Sequence, residues 1–141
     1  MIVVALIAVA AGVVSLALRD PSSKRLQMEA ERLSALLESA RADSRATGLP
    51  VHWIPAGDGD GDEAGFRFFR GTGKPRLPMA LPTRWLDPRV RAEVVDAPYV
   101  QLGPEPLIGA QLIVLRLADQ RLQLATDGLG PFAVVNEESQ P

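Results

Sequence analysis

Residues 1–18 carry no charged side chain, and only Gly12 and Ser15 interrupt their apolar run before Arg19. As a helix this stretch measures about 27 Å, close to the roughly 30 Å hydrocarbon core of a bilayer. A backbone in lipid must satisfy its own hydrogen bonds, so a membrane-lodged segment here is helical. A helix lying on a soluble core shows a polar stripe opposite its apolar one, and this segment has none. Two other readings stay open. Ser15-Leu16-Ala17 forms a passable small-residue cleavage site for a secretory signal, although the basic region that should precede it is missing. A fully buried central helix of a soluble protein is the other. The length and the flanks favour an apolar helix that sits in a membrane or in a protein-packed equivalent.

Asp20 and Pro21 follow, a good N-cap residue and one tolerated at the first helical position. They mark either the start of a second helix or a break in one long helix running from residue 1 to about residue 47. Leu26, Ala30, Leu33, Leu37 and Ala40 recur at spacings of 4, 3, 4 and 3, with Leu36 widening the stripe. Lys24, Glu31, Arg32, Glu38 and Arg41 form a solvated face of mixed charge. Gly48 and Pro50 end the segment. This amphipathic piece has one apolar face and needs a sheet or other helices to lie on.

From residue 49 the period becomes strand-like. Residues 51–54 (VHWI) and 66–70 (FRFFR) read as a hairpin with a long acidic, Gly-rich turn over 57–65. Residues 71–88 are rich in Gly and Pro and read as irregular. Residues 90–96 and 99–102 are further strand candidates. Residues 111–117 (QLIVLRL) and 121–126 (RLQLAT) alternate well around a tight turn at 118–120, and 132–135 make a last strand. Helix first and strands afterwards, without alternation, argue for an α+β fold with an antiparallel sheet. The expected organisation is an apolar membrane or filament-core helix over 1–18, its amphipathic continuation over 19–48, and a β-rich domain over 49–141.

The chemistry-bearing residues are few. A net charge of −2 gives no reason to expect nucleic-acid binding, and the absence of cysteine removes disulfides and thiolate metal sites. Asp58, Asp60 and Asp62, with Glu63, set carboxylates at alternating positions, as a weak calcium site would. The EF-hand pattern fails, however, because its sixth and twelfth places hold Glu63 and Phe69. Asp and Gly are also the ordinary residues of a solvated turn. His52 is the single histidine and builds no zinc site alone. Ser22 and Lys24 point in different directions on a helix, so they make a poor nucleophile pair. Residues 71–74 (GTGK) lack phosphate-loop spacing and run into Pro75. The expectation is a protein with no catalytic residues and no cofactor. Adjacent Phe68 and Phe69 point to opposite faces of a strand, so the outward one is an interface candidate. Met79, Leu81 and Trp85 in the Pro-rich stretch 75–88 are further candidates.

Taken together, residues 1–12 (MIVVALIAVAAG), 33–45 (LSALLESARADSR), 102–106 (LGPEP) and 124–132 (LATDGLGPF) give a chain that resembles the type IV pilin-like superfamily. The resemblance is architectural over the whole chain and sequence-level over the first 45 and last 40 residues. The TDG-x-x-PF close resembles the minor pseudopilin H of type II secretion. The family's prepilin cleavage motif is a basic leader, a Gly, an aromatic residue and then a Glu. That motif is absent here, and the expectation is that Met1 stands just after the place of that Glu, inside the true apolar segment.

The resemblance implies a structural role: a minor pseudopilin with no active site, exporting protein across the outer membrane as part of a short filament. It implies an N-terminally methylated, single-pass subunit of the bacterial inner membrane whose β domain lies in the periplasm. The positive-inside rule applied to Arg19, Lys24 and Arg25 alone points the other way. Implied partners are other minor pseudopilins, the major pseudopilin, the inner membrane and the inner-membrane secretion platform, and no nucleic acid. Ala5, Ala8, Ala11 and Gly12 would let neighbouring apolar helices approach closely. The alternatives are a minor subunit of a type IV pilus and a membrane-anchored periplasmic domain that binds a ligand or peptide. For the acidic loop, the turn reading predicts no calorimetric heat when the protein meets millimolar Ca²⁺.

Overall fold

A computed structural model of the chain describes residues 21–56, 65–71 and 77–135. The apolar segment 1–18, with Ala5, Ala8, Ala11 and Gly12, lies outside the described residues, and so do Asp58, Asp60 and Asp62.

The described chain opens with one helix, α1 (Pro21–Thr47). Its buried residues are Leu26, Glu29, Ala30, Leu33, Leu37, Ala40, Arg41 and Ser44. Steps of three, four and one residue keep all of these on a single side of a 3.6-residue helix. Gly48 ends α1 with φ +71°, and its N–H donates to the Ser44 carbonyl at 2.9 Å. That left-handed step satisfies a terminal carbonyl and is cheap for a residue without Cβ. Ser44 Oγ donates to the Leu49 carbonyl at 2.7 Å and so turns the chain into the first strand.

Eight strands follow: β1 (Val51–Pro55), β2 (Phe66–Arg70), β3 (Leu77–Pro78), β4 (Arg91–Val94), β5 (Val100–Gln101), β6 (Gln111–Leu117), β7 (Gln120–Thr126) and β8 (Ala133–Val135). All pairings among them are antiparallel. They form two four-stranded sheets, ordered β3-β2-β1-β5 and β4-β6-β7-β8. The fold is α+β, with α1 packed onto the sheets, as the sequence pattern indicates. The strands, however, divide between two sheets rather than one, and β3 lies inside the stretch that reads as irregular. β3 is two residues long and carries Pro78, so it has no alternation of its own. It exists because Phe69 and Arg70 of β2 pair with it.

The core is continuous. The helix stripe meets Ile113, Leu115 and Leu117 of β6 and Leu124 of β7, while Val51, Trp53, Phe66 and Phe68 close it from the first sheet. Along β6 and β7 one set of alternate residues is buried and Arg116 and Arg121 face water. The aromatic rings cluster: Phe66 stands 4.7 Å from Trp85, 5.8 Å from Trp53 and 5.9 Å from Phe68 by ring centroids. Tilted and edge-on rings at these separations favour packing beyond simple area burial. Asp43 of α1 accepts two bonds from Arg70 of β2, at 2.6 and 3.1 Å, and ties the end of the helix to the first sheet.

Leu37 lies at 0% exposure in the middle of the stripe. Leu37→Ala removes its methyl groups and leaves a cavity, so denaturant unfolding should register a loss of about 3 kcal/mol.

Candidate functional site

Two surfaces are built by polar side chains that the sheets bury at opposite ends of α1. At the C-terminal end stands Arg41, only 3% exposed. Its Nη1 donates to the Gly130 carbonyl at 3.0 Å, and its Nη2 donates to the carbonyls of Pro106 at 3.0 Å and Gly128 at 2.9 Å. One guanidinium therefore fastens two separate loops to the helix, which its planar array of donors suits it to do. The nearest carboxylate is Glu38, at 3.7 Å.

The loop over 126–130 also holds itself. Thr126 Oγ1 accepts from Gly128 N at 3.0 Å and donates to the Gly130 carbonyl at 2.8 Å. Asp127 Oδ1 accepts from Leu129 N and Gly130 N, both at 2.9 Å. These backbone N–H groups hold the Asp127 carboxyl below its ordinary range, Gly130 contributing most. Gly128 has φ +98°, and a Cβ there would meet the Gly109 backbone at 2.8 Å. The TDG portion of the closing motif is thus a side-chain-capped turn pressed against a second loop. Ile108 N donates to the Gly128 carbonyl at 3.2 Å and completes that contact. The two loops leave Leu107 and Leu129 exposed at 61% and 67%.

Towards the start of α1, Glu29 is buried at 1% exposure. Its Oε1 accepts from Asp87 N at 2.9 Å, and its Oε2 faces Arg32 at 3.8 Å. Arg32 donates to the Arg84 carbonyl at 3.0 Å. Arg89 donates to Asp87 through Nε at 3.1 Å and Nη2 at 2.8 Å, and Arg25 lies 3.5 Å from the same carboxylate. The Arg89 side-chain hydrogen bonds, followed by the Arg89 backbone N–H, lower the Asp87 carboxyl to about 2. Between α1 and this loop runs a groove of about 430 Å³, lined by Arg25, Met28, Glu29, Leu86, Asp87 and Arg89 among others. Leu86 is 63% exposed and Met28 52%.

The expected interface residues are placed differently. Phe68 and Trp85 are buried in the aromatic cluster, so they are core residues and not surface ones. Met79 and Leu81 are partly buried against the same core. Of the two adjacent phenylalanines, Phe69 is the more outward, half-buried beside Pro78 of β3. His52 is buried, with its ring 4.5 Å from that of Tyr99. The exposed apolar residues are instead Met28, Leu49, Leu86, Leu107 and Leu129. Met28 sits off the apolar stripe, and Leu129 stands between two glycines; an apolar residue in a polar or glycine context was the available signal. Among the described residues no group of three or more His, Cys, Asp or Glu is placed to hold a metal ion. No helix among them is long and apolar enough to cross a membrane.

No protein-family model matches the sequence, and no curated protein matches it. Two solved structures share its fold, both of the type IV minor pilin FimU of Pseudomonas aeruginosa strain PAO1. The crystal form in space group P21 has a TM-score of 0.63 at 14% identity, over 84% of this chain and 94% of that one. The form in space group P65 has a TM-score of 0.59 at 15% identity, over 82% of this chain and 97% of that one. The chain therefore has the pilin fold; identity this low carries the fold alone.

Arg41→Ala should cost about 3 kcal/mol, because one buried and two part-buried carbonyls lose their donor. Amide exchange at Ile108 and Gly128 should quicken with it. Asp87 titrates lower in the folded chain than its ordinary 3.8. Its ionised form therefore stabilises the fold above about pH 4, and that contribution is lost as pH falls towards about 2. Asp127 acts with the same sign. Urea unfolding followed between these pH values should show a decline that Asp87→Asn makes shallower.

Proposed function

We propose, from the pilin fold, that this chain is a minor structural subunit of a pilin-like filament and works by packing and not by catalysis. One observation carries the reading: an amphipathic helix packed on antiparallel sheets begins at Pro21, directly after an 18-residue stretch free of charge and the short link Arg19-Asp20. In this reading the apolar stretch lodges the subunit in the bacterial inner membrane and later enters the filament core. Apolar surface is buried in both places, so the transfer costs little. The β domain then faces the periplasm and meets other subunits.

Two systems use such a subunit. The TDG-x-x-PF close supports a minor pseudopilin of type II secretion, exporting proteins with other minor pseudopilins, the major pseudopilin and an inner-membrane platform. The likeness to FimU, a type IV minor pilin, supports a minor subunit of a type IV pilus. The chemistry of assembly is the same in both, since each relies on the helix and on surfaces of the β domain.

The codons upstream of Met1 should encode a basic leader ending in Gly, then Phe or Met and a Glu; upstream sequence without them sinks the pilin reading. Neighbouring secretion or pilus genes separate the two systems. Pull-downs with the full chain should recover other pilin-like subunits. Recovery of none favours the membrane-anchored ligand-binding domain.

A further inference from the structure

We infer that the Met28–Leu86 groove and its basic rim form a membrane-surface site, which rests on the anionic headgroups of the bilayer that holds residues 1–18. The inference depends on the reading that this apolar stretch lodges in a membrane. It deepens that reading by naming what the near end of the folded domain touches.

Spacing and hydrogen bonds gather the cations on one side. Arg25, Met28 and Arg32 recur at intervals of 3 and 4, and Lys24 precedes Met28 by 4, so they share a side of α1. The segment 84–91 lies along it, tied by Arg32 to the Arg84 carbonyl and by Glu29 to the Asp87 amide. Arg91 Nη1 donates to the Pro88 carbonyl at 2.9 Å and stays beside the same segment. Residues 24–32 and 84–91 together carry six cations (Lys24, Arg25, Arg32, Arg84, Arg89, Arg91) and three anions (Glu29, Glu31, Asp87). The whole chain is at −2, so everything outside these two stretches sums to −5. Pairing within the patch does not use up its surplus. Asp87 is one carboxylate between two guanidiniums, Arg25 and Arg89. Lys24 and Arg84 are exposed and pair with no carboxylate among the described residues. Leu86 and Met28 stand exposed amid these cations. Apolar side chains flanked by basic ones suit the boundary of acyl chains and headgroups, where the apolar part inserts and the cations meet phosphate.

Position selects a bilayer over a soluble acidic partner. The charge-free stretch ends at Leu18, and the Arg19-Asp20 link to Pro21 reaches at most about 11 Å. Arg25 and Met28 follow at about 6 and 10 Å along α1 from Pro21. Headgroups extend roughly 5–8 Å beyond the hydrocarbon core on each side, so a domain leaning towards its groove side brings Leu86 and the rim into that layer. Pro21 has no N–H to bond back into a preceding turn, which leaves α1 free to lean. A surface tethered this close meets headgroups at a high effective concentration. The far end of the domain carries the opposite sign. Residues 103–110 and 127–131 hold Glu105 and Asp127 and no cation. Arg41 ties those loops to α1 thirteen residues after Met28, roughly 20 Å further along the helix. An anionic surface therefore attracts the near end and repels the far one, which orients the domain.

The chain has no cysteine, so a single introduced one reports its own surroundings. Leu86→Cys and, as the far-end control, Leu129→Cys are labelled with a fluorophore as full chains and checked for folding by circular dichroism. Each is reconstituted in vesicles of phosphatidylcholine alone or of phosphatidylcholine with phosphatidylglycerol. Quenching by acrylamide, which is soluble and uncharged, reads exposure of the label. At position 86 quenching should fall several-fold from neutral to anionic vesicles, and at position 129 it should stay the same. Added salt should restore quenching at position 86, because it screens exposed charges. Lys24→Glu with Arg84→Glu should do the same. Equal quenching at position 86 in both vesicles, an equal fall at position 129, or protection that survives both salt and the charge reversals overturns the inference. If the chain floats with both kinds of vesicle yet position 86 is not protected, this inference fails and the membrane lodging stands. If it floats with neither, both fail.

Discussion

The apolar stripe of α1 must be covered, and both sheets are arranged around that requirement. Leu26, Ala30, Leu33, Leu37 and Ala40 are buried to within 1% exposure. A fully buried leucine gains about 1.5–3 kcal/mol relative to an exposed one, far more than helix propensity offers over the same residues. The second sheet supplies most of the cover through β6 and β7, and the first closes the side through Trp53, Phe66 and Phe68. Each sheet has only four strands, and the helix stripe packs into the core that both sheets share.

Covering the stripe also buries polar groups that share its side of the helix. Glu29, Arg41 and Ser44 cannot leave without turning the leucines out. Each therefore needs a partner, because an unpaired buried charge is costly. The partners are found in loops: the Asp87 amide for Glu29, three carbonyls for Arg41, and the Leu49 carbonyl for Ser44. Loop backbone that would otherwise face water is fixed in place as a result. The exposed pairs Leu107/Leu129 and Met28/Leu86 are consequences of that pinning, since each stands on or beside a loop that a buried helix side chain holds.

Function in this protein, on the proposed reading, is geometry. A subunit that works by docking needs surfaces that hold their shape before the partner arrives. Buried polar side chains achieve this more rigidly than loop sequence alone, because loops lacking such ties sample many conformations. The same construction explains why the low carboxyl of Asp87 and that of Asp127 fall in loops: each caps backbone or guanidinium donors at a surface to be held still.

Periodicity alone determined much of the fold. The 3-4 spacing of leucines and alanines marked α1, and alternation marked β6 and β7, because these patterns follow from the geometry of one segment. Residues 126–131 (TDGLGP) form a turn whose capping chemistry Thr126 and Asp127 carry locally. The tertiary structure alone decided the rest. The division into two sheets and the strand β3 depend on which partners lie alongside, which no single segment encodes. Phe68 and Trp85 went inward because they meet Phe66, a contact between residues up to 19 positions apart in the chain. Arg41 reads in the sequence as a member of a charged helix face, and Glu29 has no assigned role there. Only the sheets, by covering that side of α1, turned them into the ties that shape the two surfaces.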